Sequence, residues 1–403
     1  MHLKRVNKAV IGGLVALTAA TGLLASTIQP ASADPTRPYA ATGSDTIQDV
    51  WNGLTNDFGA VAPSIASWNA FVAPPSGTAA GTYTSFIQTK TGGSFFLRPS
   101  GSGEGQKSVS AVWDPAYASH QYPSGTGAVL NHEDVDFGRS SGGPAAGTGL
   151  KFLPFARDAV AIAFNPYSTL TTVDLTTGQI AELYNGVDNT GDAVVTFDSQ
   201  PATAATKVFI NGVEVHPRIP QNGSGTRSFF LGAIGVTTAQ LAPYIPVPNN
   251  TVDNGGLPEN DGHQIATDGD LIPFSAAQWI AQSNGKATDT TGGLSLAKVN
   301  GLAPTSGSAP TMTAGALFGG KNLSGDYNTV PGTGVGVFNR DTYDVIPTSF
   351  LGGSATSKQQ ALVSILGAGI GGNNGKAVIR SFGFGTLSYI GNSANFLDGA
   401  WKH

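Results

Sequence analysis

The sequence predicts an α/β fold with two hydrophobic cores, and three observations predict it. The chain has 403 residues, 40% of them hydrophobic, which is enough for two domains of ordinary size. Residues 158–164 (DAVAIAF) form an apolar run with a buried-strand pattern, while other apolar residues recur at helical spacing. Three of the helical runs follow loops of Gly and Ser, so strands, polar turns and helices alternate as α/β layers require.

The first 33 residues stand apart from this pattern. Lys4, Arg5 and Lys8 precede an apolar run at 9–24, and Ala31-Ser32-Ala33 offers a small-residue exit, so residues 1–33 read as a signal peptide. The run is rich in Gly, Ala and Thr, and no later stretch approaches the roughly 18 to 20 apolar residues of a membrane span. The 370 residues from Asp34 onward are therefore expected to be secreted and extracellular, or periplasmic where an outer membrane is present. They carry 18 Lys and Arg against 26 Asp and Glu, a formal charge of −8, and lack the basic stripe that nucleic acid demands. The chain has no Cys, hence no disulfide and no thiol for a lipid anchor, and its stability must come from core burial. A monomer is expected.

Only 12% of the residues are charged and 55 are Gly, so long polar connections are expected between the elements. Segments 304–313 and 319–336 are the most linker-like and read as surface elaborations. No internal repeat is visible.

The first helical pattern starts at Thr46, with Ile47, Val50, Leu54 and Phe58 along one face and Ser44 or Asp45 as its cap. A second loop, Ser100-Gly101-Ser102-Gly103-Glu104-Gly105, leads into a helix over 106–113. A third, Asn222-Gly223-Ser224-Gly225-Thr226, leads into a helix over 227–234. Each loop offers backbone N–H groups and small hydroxyls at the positive end of a helix, which suits a tetrahedral anion. Gly lets the backbone approach such a ligand closely. A single loop of this kind is an ordinary helix cap; three are a site only if they converge.

These residues resemble the phosphate-binding proteins of bacterial ABC transporters, which have the type 2 periplasmic-binding fold. The similarity runs in order through Gly43-Ser44-Asp45-Thr46, Gly101-Ser102-Gly103-Glu104-Gly105-Gln106-Lys107, Asp136-Phe137-Gly138-Arg139-Ser140-Ser141, Leu153-Pro154-Phe155-Ala156-Arg157-Asp158-Ala159-Val160, Asn222-Gly223-Ser224-Gly225-Thr226 and Val345-Ile346-Pro347. The resemblance implies a two-lobed fold, each lobe a sheet flanked by helices, with phosphate or a related oxyanion in the cleft between lobes and an ABC transporter permease as partner. It implies binding roles for Thr46, Ile47, Ser102, Ser141, Ser224, Gly225 and Thr226, and places Asn222 and Arg139 beside them. No cofactor, metal or catalytic residue is implied.

Two positions depart from the family, which usually has Asp where this chain has Ser141 and Asn222. A carboxylate accepts the proton of monohydrogen phosphate and repels sulfate, whereas Ser and Asn are neutral, so the preference between the two anions is left open. Asp45 or Glu104 is a candidate replacement acceptor. The family's Arg falls at Pro220 here; Arg139, Arg157, Arg218 and Arg227 are candidates to compensate, with Arg227 preferred because it follows Thr226 at a helix start.

The strand at 158–164 is read as carrying the chain from the first lobe to the second, and 343–348 as carrying it back. Lobe one then comprises 34–160 and 341–403, and lobe two comprises 161–340. A helix is expected over 358–366 and a closing segment over 383–390.

Other chemistries fit less well. Gly138-Arg139-Ser140-Ser141-Gly142 matches the G-x-S-x-G pattern of serine hydrolases, but the Gly- and Pro-containing run after it is poor material for the helix that a nucleophile elbow needs. The six His are scattered, and the Asp-rich turns at 188–192 and 268–270 lack the spacing of a calcium loop. Trp51, Trp68, Trp113, Trp279 and Trp401 raise an alternative, a secreted adhesion or carbohydrate-binding module on the same scaffold, which an exposed Trp surface would favour.

Overall fold

The structure, a computed structural model, describes residues 36–56, 61–71, 85–167, 169–246, 260–262, 265 and 267–403. The expected leader lies outside the described residues. Among the described residues eleven strands form one sheet: β1 (Tyr39–Gly43), β2 (Ile65–Ser67), β3 (Phe137–Ser140), β4 (Leu150–Phe164), β5 (Val195–Phe197), β6 (Val208–Ile210), β7 (Val213–Pro217), β8 (Asp270–Ser275), β9 (Ser295–Leu296), β10 (Asn339–Pro347) and β11 (Leu397–Gly399). Helices α1 (Gln48–Asn56), α2 (Ser102–Trp113), α3 (Thr177–Asn185), α4 (Gly225–Ile234), α5 (Ala276–Ser283), α6 (Ser357–Ser364) and α7 (Asn373–Ser381) pack around it. The protein is therefore an α/β fold with a mixed sheet, in the order β5-β6-β7-β8-β4-β10-β3-β1-β2, while β9 and β11 also pair with β4.

The long strand β4 divides this sheet. Its residues 150–159 pair with β10, and 160–164 pair with β8, so it exchanges partners between Ala159 and Val160. It is buried along nearly its whole length, and Ala156, Ala159, Ala161 and Ala163 leave room for elements packed on both faces. β10 starts opposite Ala159 and runs back beside 150–158, so these two strands link the half bearing β1, β2 and β3 to the half bearing β5 to β8.

Both helices expected after the first two Gly-containing loops are found with shifted starts. α1 begins at Gln48, after a turn through Asp45 and Thr46. α2 begins at Ser102, so the Gly-Ser segment is itself the first helical turn. Helix-breaking Gly is tolerated at 105 because the backbones touch there: a Cβ on Gly105 would lie 2.7 Å from Gly43 Cα.

Trp51 anchors the main core, stacked on Phe155 at 5.5 Å and tilted onto Phe137 at 5.2 Å. The 319–336 segment, expected to be surface, is corrected at one place. Tyr327 is fully buried and pinned by its N–H to Thr386 C=O, with the Arg157 guanidinium 4.9 Å over its ring. After α6 the chain widens into a π-type turn at Ile365–Gly369. The closing segment joins β4 through reciprocal backbone bonds between Arg157 and Gly385, and the last strand, β11, was not anticipated. Among the described residues no helix is long and apolar enough to cross a membrane.

Candidate functional site

Where β4 and β10 cross between the halves, the starts of α1, α2 and α4 meet. α4 is capped by Ser224, whose Oγ accepts from Arg227 N–H at 3.0 Å. α2 starts from Gly101, whose φ of 96° is open to Gly without strain. The two loops bond directly, since Gly103 N–H donates to Gly223 C=O at 3.0 Å. Ser141, just past β3, joins them: its N–H donates to Ser102 Oγ at 2.8 Å, and the two hydroxyls lie 3.1 Å apart. Gly225 closes the group, because a Cβ there would lie 2.6 Å from Gly142 N and 2.7 Å from Ser141 Oγ.

Thr46 enters from the turn before α1. Its Oγ1 lies 3.4 Å from Thr226 Oγ1, and its C=O accepts from Gln278 Nε2 of α5 at 2.5 Å. The structure thus brings together Thr46, Ser102, Ser141, Ser224, Gly225 and Thr226, from four separate stretches of the chain. All are buried, and no hydroxyl bearer among them exceeds 2% exposure. Helix starts and hydroxyls concentrated in this way form an environment of hydrogen-bond donors around any group placed among them.

The other expected residues sit elsewhere. Ile47 has its side chain in the main core, so only its backbone belongs to the turn. Asn222 is exposed, because the turn that presents Ser224 points it outward; its neighbour Gln221 is buried instead, with neither amide atom hydrogen-bonded among the described residues. Arg139 turns towards β2, donating to Ser67 Oγ and to Trp68 C=O at 2.5 Å each. The guanidinium of Arg227 does not meet the cluster, which corrects the preferred arginine: its Nη1 donates to Pro220 C=O at 3.0 Å and its Nη2 reaches Thr238 Oγ1. Its place in the first turn of α4 sends the side chain along the preceding loop. Arg157 is bonded to Asp341 at 2.8 Å, and Arg218 faces Asp270 in the other half. Glu104 accepts from Tyr122 and pairs with Lys107.

A cation that does reach the cluster is Arg340 of β10, 3% exposed, which donates from Nη2 to Thr226 Oγ1 at 2.7 Å. Across the strand pair it stands opposite Asp158, whose Oδ2 accepts from both Nε and Nη2. Asp158 Oδ1 accepts from Ser275 Oγ and Ala277 N–H at the start of α5, so both of its oxygens are engaged. Sequence reading missed Arg340 because the return strand was taken to begin at Tyr343. The signal was a charged residue at the start of each of two buried runs, Asp158 before AVAIAF and Arg340 before DTYDV. Beside the cluster, burial raises the Asp49 carboxyl to about 6 against the pull of Arg139 and a bond from Gln278.

Four buried polar positions ring this place without hydrogen-bond partners among the described residues: Ser44 Oγ, the Gln221 amide, Gln278 Oε1 and Arg340 Nη1. Elsewhere, Ser140 of the G-x-S-x-G pattern donates to Gly142 C=O and accepts from Gln106, and no helix follows it before β4. His216 lies at Glu214 and Asp270, beside a separate cavity of about 470 Å³. Among the described residues no group of three His, Asp or Glu is placed to hold a metal. Trp51, Trp68 and Trp279 are buried, and Trp113 and Trp401 are half-buried, so they form no exposed Trp platform.

No protein-family model matches this sequence, and no curated protein does. Solved structures to which the chain is similar include phosphate-binding proteins. One is a putative phosphate ABC transporter substrate-binding protein with bound phosphate from Clostridium perfringens, at 13% identity and a TM-score of 0.45, covering 87% of this chain and 99% of that one. Another is an ABC-type phosphate transport receptor from Vibrio cholerae, at 12% identity and 0.44, covering 86% and 98%. A third is a phosphate-binding protein from Stenotrophomonas maltophilia, at 15% and 0.44, covering 89% and 92%. What the site can hold follows from its own residues.

Proposed function

We propose that this chain is a secreted solute-binding protein that captures an inorganic oxyanion, phosphate first among them, at the junction of its two halves. The observation that carries the reading is the convergence of Ser102, Ser141 and Ser224 to Thr226 on one buried point, with Thr46 beside them. Hydroxyls and N–H groups at helix starts favour a tetrahedral anion, and burial removes the competing water that would weaken each contact. In this reading lobe one is 34–160 with 341–403 and lobe two is 161–340, β4 and β10 serve as the link about which they close, and the protein works as a monomer. The leader at 1–33 would export it, and an ABC transporter permease is the partner that the motif resemblance implies.

Titration calorimetry with phosphate, arsenate and sulfate, on protein refolded from denaturant in anion-free buffer, tests the proposal. Saturable 1:1 heat with phosphate supports it; no heat with any of the three removes it.

A further inference from the structure

We infer that Arg340 is the anion's charge partner, acting from the strand that links the two halves and not from the Gly-Ser loops; the inference rests on the oxyanion reading above. A guanidinium is a flat fork with two kinds of paired N–H edges. In Arg340 the side edge, Nε–H with one Nη2–H, is taken by Asp158 Oδ2. The end edge consists of the other Nη2–H and an Nη1–H, which run parallel. Thr226 Oγ1 accepts from Nη2, and an N–H of Nη1, buried and unpartnered among the described residues, runs parallel to that bond in the planar guanidinium. Thr46 Oγ1 lies 3.4 Å from Thr226 Oγ1, the hydroxyl that Nη2 reaches. A buried charged donor left unpaired is costly, and an anion oxygen at this edge would satisfy it with a charge-assisted bond.

The surroundings fix the fork in this attitude. Its carbon lies 5.3 Å from the Phe229 ring on α4, and Asp158 is held in turn by Ser275 and Ala277 at the start of α5 in the same half. Arg340 therefore joins α4 of the second half to the link to which it itself belongs. Asp158 has no free oxygen to accept a ligand's proton, so the pair offers a donor edge and no acceptor. The ligand class that fits is a tetrahedral oxyanion in its fully or nearly fully ionised form.

Two variants test this. Asp158→Asn/Arg340→Gln removes both charges without leaving one buried alone, and Arg340→Lys keeps a charge opposite Asp158 but loses the fork. Wild type and variants are compared by phosphate calorimetry across phosphate's own second ionisation, with thermal melting as the check on folding. The expected result is a roughly ten- to hundredfold weaker affinity in the double variant, with a smaller gain in affinity on passing from monoanion to dianion than in wild type. A merely structural role would leave that gain unchanged. If the double variant does not fold, Arg340→Lys decides, with at least about a fivefold loss expected for the missing fork. Wild-type affinity within twofold in a folded variant overturns the role of Arg340 while leaving the oxyanion reading intact; absence of binding in wild type removes both.

Discussion

Gly103 N–H donates to Gly223 C=O at 3.0 Å, a bond between residues 120 positions apart that fastens the start of α2 to the loop before α4. The Gly-Ser loops are thus parts of one packed structure, and changing them affects stability as well as ligand contact. Gly225→Val illustrates this. Its side chain would enter space held by Gly142 N and Ser141 Oγ, so the loops must part. The expected outcome is loss of phosphate binding together with about 1–3 kcal/mol of stability. Calorimetry and urea midpoints measured on the same preparation check both.

Ser224→Ala separates the two effects. Its Oγ caps α4 through Arg227 N–H, and removal of such a cap costs about 1 kcal/mol. No steric intrusion follows, so the fold persists and phosphate affinity falls through the loss of one hydroxyl. A denaturation midpoint unchanged from wild type would show that the cap contributes nothing.

Trp51 and Asp344 make the next prediction. Trp51 Nε1 donates to Asp344 Oδ1 at 3.0 Å within the main core, where both residues are buried. Burial holds the Asp344 carboxyl well above the usual range. Trp51→Phe removes the donor and part of the stacking on Phe155, and a loss of about 2–4 kcal/mol is expected from the unpaired group and the smaller ring. Asp344→Asn keeps the size of the side chain and an oxygen that can accept from Trp51 Nε1, and should cost much less.

The pH dependence of Asp49 has a definite sign. Its carboxyl is raised from 3.8 to about 6 by burial, so the folded state binds its proton more tightly than the unfolded chain. The resulting stabilisation is fully present below about pH 4 and is lost as pH rises through about 6. Asp49→Asn cannot lose it. The stability difference, variant minus wild type, should therefore become more positive between pH 4 and pH 7, measured as paired thermal or urea midpoints. A difference that is flat across this window would place the Asp49 carboxyl in water.

Much of the scaffold was legible because it is local. Hydrophobic spacing at Val50 and Leu54 marks α1, Gly235 ends α4 with a φ of 69°, and DAVAIAF marks the buried end of β4. The six converging site residues were named from Gly-Ser patterns and the family resemblance, and their meeting is a property of the fold alone. What escaped was set by side-chain direction. Nothing in Gln221-Asn222 says which residue turns inward, and helix-start logic favoured Arg227 because it follows Thr226, whereas its guanidinium folds back onto Pro220. Arg340 required knowing that β10 lies against β4 in the register that sets it opposite Asp158.

The last prediction concerns selectivity. Rejecting sulfate relies on an acceptor that finds no proton to receive, since sulfate is fully ionised where phosphate still carries one. Ser141 is neutral and its hydroxyl can rotate to donate, Asn222 is exposed, and Asp158 has both oxygens engaged by Arg340, Ser275 and Ala277. Phosphate should therefore bind with weaker discrimination against sulfate than a site holding an ionised carboxylate would give. Ser141→Asp should strengthen the preference for phosphate by supplying that acceptor, with Arg340 as the nearby compensating cation, and should weaken sulfate binding more than phosphate binding. Its cost is a second buried carboxylate 3.1 Å or so from the Ser102 hydroxyl, so some loss of stability accompanies the gain in selectivity. Competition titrations of wild type and variant decide the matter. If the wild type already excludes sulfate by more than about a thousandfold, roughly 4 kcal/mol, another carboxyl at the site, with Asp45 the first candidate, supplies the acceptor and the assignment to neutral Ser141 is wrong.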